Sequence, residues 1–340
     1  MDSVRYLVFS GGGSKGMAFC GTMLVLHEMQ RSGVFDASRL KGAIGCSIGS
    51  MFAMASVMGI PPKPVLESLF EEHLLDDMEP DMDLSSLYNT NALDTGDRIK
   101  TMVLRVITMA IDNCGEAGSS LFPPGTEAET LTFGDLRSLT KKELVCVASD
   151  VCDGTVAYIG PEGFADMPVW QGVVASMSIP VIFAPCRSDQ RLLVDGALLC
   201  NIPLDYFPLD ESLVFWLVGP GDNDPLGPAT PDDVLGAGFP SYVRRLLDCS
   251  MRFRDRRLVE VLDPGHRLVR VSSGGLGATH FTLSRRQQLN AIIDGMVSTM
   301  RGVWAFRMAP GGTAAPLVGG DPRDPGGLEN SGNSGNSGNP

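Results

Sequence analysis

The stretch LVFSGGGSKGMAFCGTML, residues 7–24, constrains this chain more than any other. A short apolar run meets Gly11, Gly12 and Gly13, and residues 17–29 follow with few polar breaks. The run at 6–9 fits a buried strand, and the segment after the glycines fits a buried helix. The pattern then recurs. Residues 40–46 read as a second strand, and IGSMFAMASVM (48–58) as a helix apolar on every face, stopped by Pro61 and Pro62. Two such helices beside short strands predict an α/β core covered on both sides.

At 340 residues, 44% hydrophobic and 20% charged, the chain reads as globular. No apolar run approaches the length of a transmembrane helix. The opening MDSVRYLVFSGGG carries no basic leader and no apolar signal core, so the expectation is cytoplasmic residence, with peripheral contact to membranes. The eight cysteines (Cys20, Cys46, Cys114, Cys146, Cys152, Cys186, Cys200 and Cys249) form no C-x-x-C pair, which predicts free thiols and no metal site. A net charge of −13 argues against nucleic acid as a partner. Acidic residues crowd the segment 64–97, which has no Lys or Arg. Its DMEPDMD lacks the EF-hand glycine, Met82 standing there, and reads as a solvated loop.

Residues 61–140 read as a mostly helical excursion, with 97–111 its clearest helix. Further strands are predicted at 142–151, 154–160, 190–196, 212–219 and 266–272, and a long loop at 220–240. Residues 241–261 form a helix bearing Arg244, Arg245, Arg252, Arg254, Arg256 and Arg257, read as a solvated face. A last helix is expected from about 283 to 300. Past Met308 the chain turns Gly- and Pro-rich and ends in three Asn-Ser-Gly copies, so 309–340 reads as a disordered tail behind one domain, 1–308.

Gly11, Gly13 and Gly16 satisfy G-x-G-x-x-G, the dinucleotide fingerprint. A dinucleotide site also needs an acid at the end of the second strand, and Asp36 precedes that strand. What ends it is Gly45-Cys46-Ser47-Ile48-Gly49, a G-x-S-x-G between strand and helix, where a nucleophile elbow belongs. The glycine loop then serves a transient anion, the oxyanion of a tetrahedral intermediate. Ser47 needs a base. His27, His73, His266 and His280 read as core or surface histidines. Asp195, in LLVDGALLCNIP, is the alternative, although Asp195-Gly196 is equally a hairpin signal.

Together these pieces resemble the patatin-like phospholipases. That family joins G-G-G-x-[KR]-G, G-x-S-x-G and D-G-[AG] in this order, here Gly11 to Gly16, Gly45 to Gly49, and Asp195-Gly196-Ala197. The stretches at 132–151, 175–205 and 281–296 share its texture. The resemblance implies a three-layer α/β/α fold with a mostly parallel central sheet. It also implies a lipid acyl hydrolase of phospholipase A type, working on phospholipid or another acyl lipid at a membrane or micelle surface. Its catalytic pair would be Ser47 as nucleophile and Asp195 as base, with Gly11, Gly12 and Gly13 as oxyanion hole. Gly45, Gly49 and Gly16 would shape the elbow and loop, and Lys15 would meet substrate phosphate or hold the loop. No metal or other cofactor is implied. The alternatives are a Ser-Asp-His esterase using His266 or His280, a transacylase, or a catalytically silent lipid-binding scaffold.

Overall fold

The computed structural model describes residues 1, 3–71, 84–112, 121–219, 230–236, 238–261, 267–278 and 282–308. In chain order the elements are β1 (Tyr6–Phe9), α1 (Met17–Arg31), β2 (Gly42–Cys46), α2 (Ile48–Met58), α3 (Pro62–Glu71), α4 (Leu84–Thr90), β3 (Ala92–Asp94), α5 (Asp97–Asp112) and α6 (Phe133–Thr140). There follow β4 (Glu143–Asp150), β5 (Thr155–Ile159), α7 (Val169–Met177), β6 (Val181–Phe183), β7 (Cys186–Ser188), β8 (Arg191–Asp195), β9 (Ser212–Val218), α8 (Pro231–Gly236), α9 (Phe239–Val261), β10 (Leu268–Ser272) and α10 (Arg285–Met308).

The central sheet has eight strands in the order β10-β9-β1-β2-β4-β8-β7, with β5 also paired to β4. The five strands from β10 to β4 run parallel, while β5, β7 and β8 are antiparallel to their partners. Successive side chains of a strand point to opposite faces. Leu7, Phe9, Leu144, Cys146, Phe215 and Leu217 therefore join one core, which α1, α2, α5, α7 and α10 also fill. Val8, Ile44, Val145, Val147, Val214 and Trp216 join a second, closed by Ile202, Leu204 and Phe207 and by Met251 and Leu258 of α9. Helices thus lie on both faces, the three-layer arrangement expected.

Strand register positions the site. Along one edge of β4, β2 pairs as far as Cys46 opposite Val147, and β8 takes over with Asp195 opposite Ala148. The C-terminal ends of β2 and β8 therefore face each other on neighbouring positions of one strand. Residues 47 and 195 meet there.

Several expectations change. Within 61–140, the short β3 interrupts the helices and pairs with β6 in a separate two-stranded sheet. Strands of three residues are too short to show alternation in sequence. Within 220–240, α8 occupies Pro231–Gly236 and α9 already begins at Phe239. The last helix runs on to Met308. Asp195-Gly196 turns no hairpin, since a 3-10 turn, Gly196–Leu198, follows β8 directly. The acidic residues 72–83, Cys114, loop residues 220–229 and the tail 309–340 lie outside the described residues. Among the described residues no helix is long and apolar enough to cross a membrane.

Candidate active site

Ser47 is the N-cap of α2, with φ 52° and ψ −129°. A non-glycine residue there costs about 1–3 kcal/mol and persists only where its surroundings hold it. They do. Its N–H donates to Ser176 Oγ at 2.9 Å, and that hydroxyl donates to the Val147 carbonyl at 2.5 Å, tying the elbow to β4 through α7. The Ser47 carbonyl accepts from Ser50 Oγ at 2.6 Å. Glycine is required on both sides. A Cβ at Gly45 would overlap the Gly49 carbonyl, and one at Gly49 would stand 2.5 and 2.6 Å from the carbonyl oxygens of Ser10 and Phe9. At Gly16 a Cβ would run into Ile48.

Ser47 Oγ donates to Asp195 Oδ2 at 2.6 Å, and both residues are buried. Asp195 is held on three further bonds. Its Oδ1 accepts from the Ala197 N–H at 2.8 Å, its N–H donates to Ser178 O at 2.8 Å, and its carbonyl accepts from Ser149 Oγ at 3.1 Å. Burial pushes its carboxyl up from 3.8 to about 6, against the lowering effect of the Ser47 and Ala197 hydrogen bonds. The pair is thus a hydroxyl and a carboxylate of raised basicity, without an interposed imidazole.

The glycine loop leads into a 3-10 turn, Gly13–Gly16, and lies against the elbow. A Cβ at Gly11 would come within 3.3 Å of Ser47 Cβ. The Gly11 N–H donates to the Asn201 carbonyl at 3.1 Å, whereas among the described residues the N–H groups of Gly12 and Gly13 have no acceptor. Gly13 has φ 55°, and a Cβ there would overlap the Ala278 carbonyl. The same segment props the loop, because Ser14 donates to Gly277 O from its hydroxyl and to Ala278 O from its N–H. Lys15 is buried, its stem beside Gly12 and Gly219, and its charge acts on Asp255 of α9.

Nothing in the sequence signals what α9 does here. Arg254 donates to the carbonyls of Leu198 (2.7 Å) and Ala197 (2.8 Å), and to Asp255 Oδ1 at 3.1 Å. Asp255 Oδ2 accepts from Asn201 Nδ2 at 2.6 Å. One helix thus grips the turn that follows Asp195 and the residue that holds Gly11. Arg254 is one of six arginines in that helix, and only the tertiary fold singles it out.

A cavity of about 110 Å³ opens at Ser47, between the glycine loop and helices α1, α2 and α5. Its walls are almost wholly apolar, including Met17, Met51, Phe52, Met102 and Phe183. Methionines make such a wall adaptable to chains of different shape. Asp36 sits far from any such role, capping the 3-10 turn Ala37–Arg39 by accepting from Ser38. His27 lies on α1, while His73, His266 and His280 fall outside the described residues. Among the described residues no group of His, Cys, Asp or Glu is placed to hold a metal ion.

Residues 7–208 match the family described as patatin-like phospholipase. The protein YqhO of Bacillus subtilis (strain 168), described as uncharacterized, is 30% identical over 220 residues, covering 59% of this chain and 65% of that one. The "probable lipid hydrolase 463L" of Invertebrate iridescent virus 6 is 22% identical over 202 residues, covering 59% and 62%. The chain thus matches less than two thirds of the length of either relative. Among solved structures, VipD from Legionella pneumophila superposes with a TM-score of 0.56 at 16% identity, covering 88% of this chain and 67% of that one. With its fold and more than half its length matched, the chain belongs to the patatin-like phospholipase family.

Proposed function

We propose that the protein is a lipid acyl hydrolase of phospholipase A type that works through a Ser47–Asp195 dyad. The observation that carries this reading is the 2.6 Å bond between Ser47 Oγ and Asp195 Oδ2 at the wall of an apolar cavity. The family and the viral relative's name support the substrate class. An acyl chain lies in the cavity with its ester carbonyl at Ser47. Asp195 takes the hydroxyl proton as Oγ attacks, and the N–H groups of Gly12 and Gly13 receive the oxyanion. Gly11, its N–H given to Asn201, gives the close approach that admits the carbonyl. The proton passes to the departing lysolipid oxygen, leaving an acyl-enzyme on Ser47. Water, deprotonated by Asp195, then releases the fatty acid and restores Ser47. Lys15 holds the loop through its position above Asp255.

The test is incubation with mixed micelles of phosphatidylcholine or phosphatidylglycerol, followed by mass spectrometry of the products. Fatty acid and lysophospholipid are expected in equal amounts, and Ser47→Ala should lower the rate by at least about 10³-fold. Equal turnover by Ser47→Ala would reject the assignment. Micelle binding without any fatty-acid release would favour a silent scaffold.

A further inference from the structure

Large apolar residues exposed on α10 form a stripe. Leu289, Ile293, Val297, Met300 and Trp304 are 47, 53, 39, 56 and 59% exposed. Their spacings of four, four, three and four place them within an arc of about 80° on a helix of 3.6 residues per turn. The opposite side of α10 is packed. Gly295 lies so close to Ala18 of α1 that a Cβ would overlap its carbonyl, and Thr299 Oγ1 meets Thr22 Oγ1 at 2.8 Å. Isolated exposed apolar residues are ordinary on any protein; a continuous stripe asks for a partner.

Charge selects among the partners. Arg285 and Arg286 stand at the N-terminal end of the helix, and Arg301 toward the other, against one acid, Asp294, in a chain of net charge −13. Asp294 lies about 60° beyond the stripe's edge at 100° per residue. A second copy fits poorly. Parallel pairing of two such helices sets each arginine end on itself, and antiparallel pairing sets one arginine end on the other. The residues beyond Met308 offer only Leu317, Val318 and Leu328 as large apolar side chains, too few to cover the stripe. A layer of anionic phospholipid satisfies both requirements. Its acyl boundary takes the apolar face, its phosphates take the arginines, and Trp304 suits the level between them. The helix that carries the stripe also starts near the site, because Leu283, just ahead of α10, lines the Ser47 cavity.

We propose that the exposed face of α10 seats the protein on anionic phospholipid bilayers, which brings the cavity to its substrate; the proposal rests on the lipid-hydrolase reading of that cavity. Flotation with vesicles tests it, using phosphatidylcholine alone and phosphatidylcholine mixed with phosphatidylglycerol. The 340-residue protein should float with the mixed vesicles and much less with the neutral ones. Trp304 emission should shift to the blue and be quenched by brominated acyl chains, a response that Trp304→Phe removes. The Ile293→Gln/Met300→Gln variant should bind at least about tenfold more weakly. Arg285→Gln/Arg286→Gln should lose the preference for phosphatidylglycerol. Every variant should hydrolyse a soluble short-chain ester at the wild-type rate.

Wild-type flotation by the apolar or arginine variants would overturn the proposal. So would a dimer, dissociated by Ile293→Gln/Met300→Gln, that fails to float. Flotation as expected with no ester hydrolysis by any form would overturn the enzymatic reading while upholding the docking surface.

Discussion

At the scale of single residues, the proposed chemistry turns on a buried carboxylate. Burial raises Asp195 from 3.8 to about 6, and the base must be ionised to take a proton. The kcat/KM on a soluble ester should therefore rise tenfold per pH unit below about 6 and level off above it. A flat profile between pH 5 and 7 would remove Asp195 as the base. Stability runs the other way. A carboxyl whose folded value is raised favours the fold below its unfolded value near 3.8, and that contribution is lost as pH climbs through about 6. Replacing Asp195 with Asn should then shift relative stability in favour of the variant by about 2 kcal/mol between pH 4 and pH 8. Denaturant melts of both proteins across that range measure it, and a constant difference would contradict it. At this scale much was legible. Ser47, Asp195 and the glycines each sit inside a short motif whose residue types the chemistry demands. Ser176 and Asn201 were not legible, because a serine in a helix and an asparagine in a loop acquire meaning only from what the fold brings to them. The loss of Gly11 as a donor followed from the same Asn201.

At the scale of elements, Ser47 and Asp195 meet because β2 and β8 share one edge of β4 end to end. Sequence showed both strands, since buried parallel and antiparallel strands alike read as apolar runs. It could not show their register, which depends on the pairing of each with β4, about 100 and about 45 residues away in sequence. The clamp from α9 has the same origin. Arg254 is a positioning residue for the turn after Asp195, since Ala197 supplies both a carbonyl to Arg254 and an N–H to Asp195 Oδ1. Arg254→Ala should lower kcat on a soluble ester by about 10–100-fold with little change in KM. Loosening the Ala197 hydrogen bond, which lowers the Asp195 value, should also move the pH midpoint upward. Arg254→Lys, able to hold one carbonyl, should recover part of both effects. A lower melting temperature with kcat and pH midpoint unchanged would reduce Arg254 to a packing role.

At the scale of the whole molecule, the three layers divide the labour. One face of the sheet carries α1, α2 and α5, which wall the cavity, and α10, whose outer stripe faces solvent. The other face carries α9 and the segment after Asp195, which hold the Ser47–Asp195 pair from behind. The layered fold was legible because helices apolar all round have no alternative to burial. The elements that sequence reading missed are the nine-residue α7 and the shorter β3, β6, β7 and α8, each six residues or fewer, which draw their stability from neighbours. What joins all the layers is one claim, that a serine and an aspartate suffice without histidine. Labelling with a fluorophosphonate, which adds only to an activated serine, tests it most directly when mass spectrometry locates the adduct. An adduct is expected on Ser47 of the wild type, absent from Ser47→Ala, lost in Asp195→Asn and retained in His266→Gln/His280→Gln. Loss of the adduct in the histidine variant, with Asp195→Asn labelled like the wild type, would contradict it.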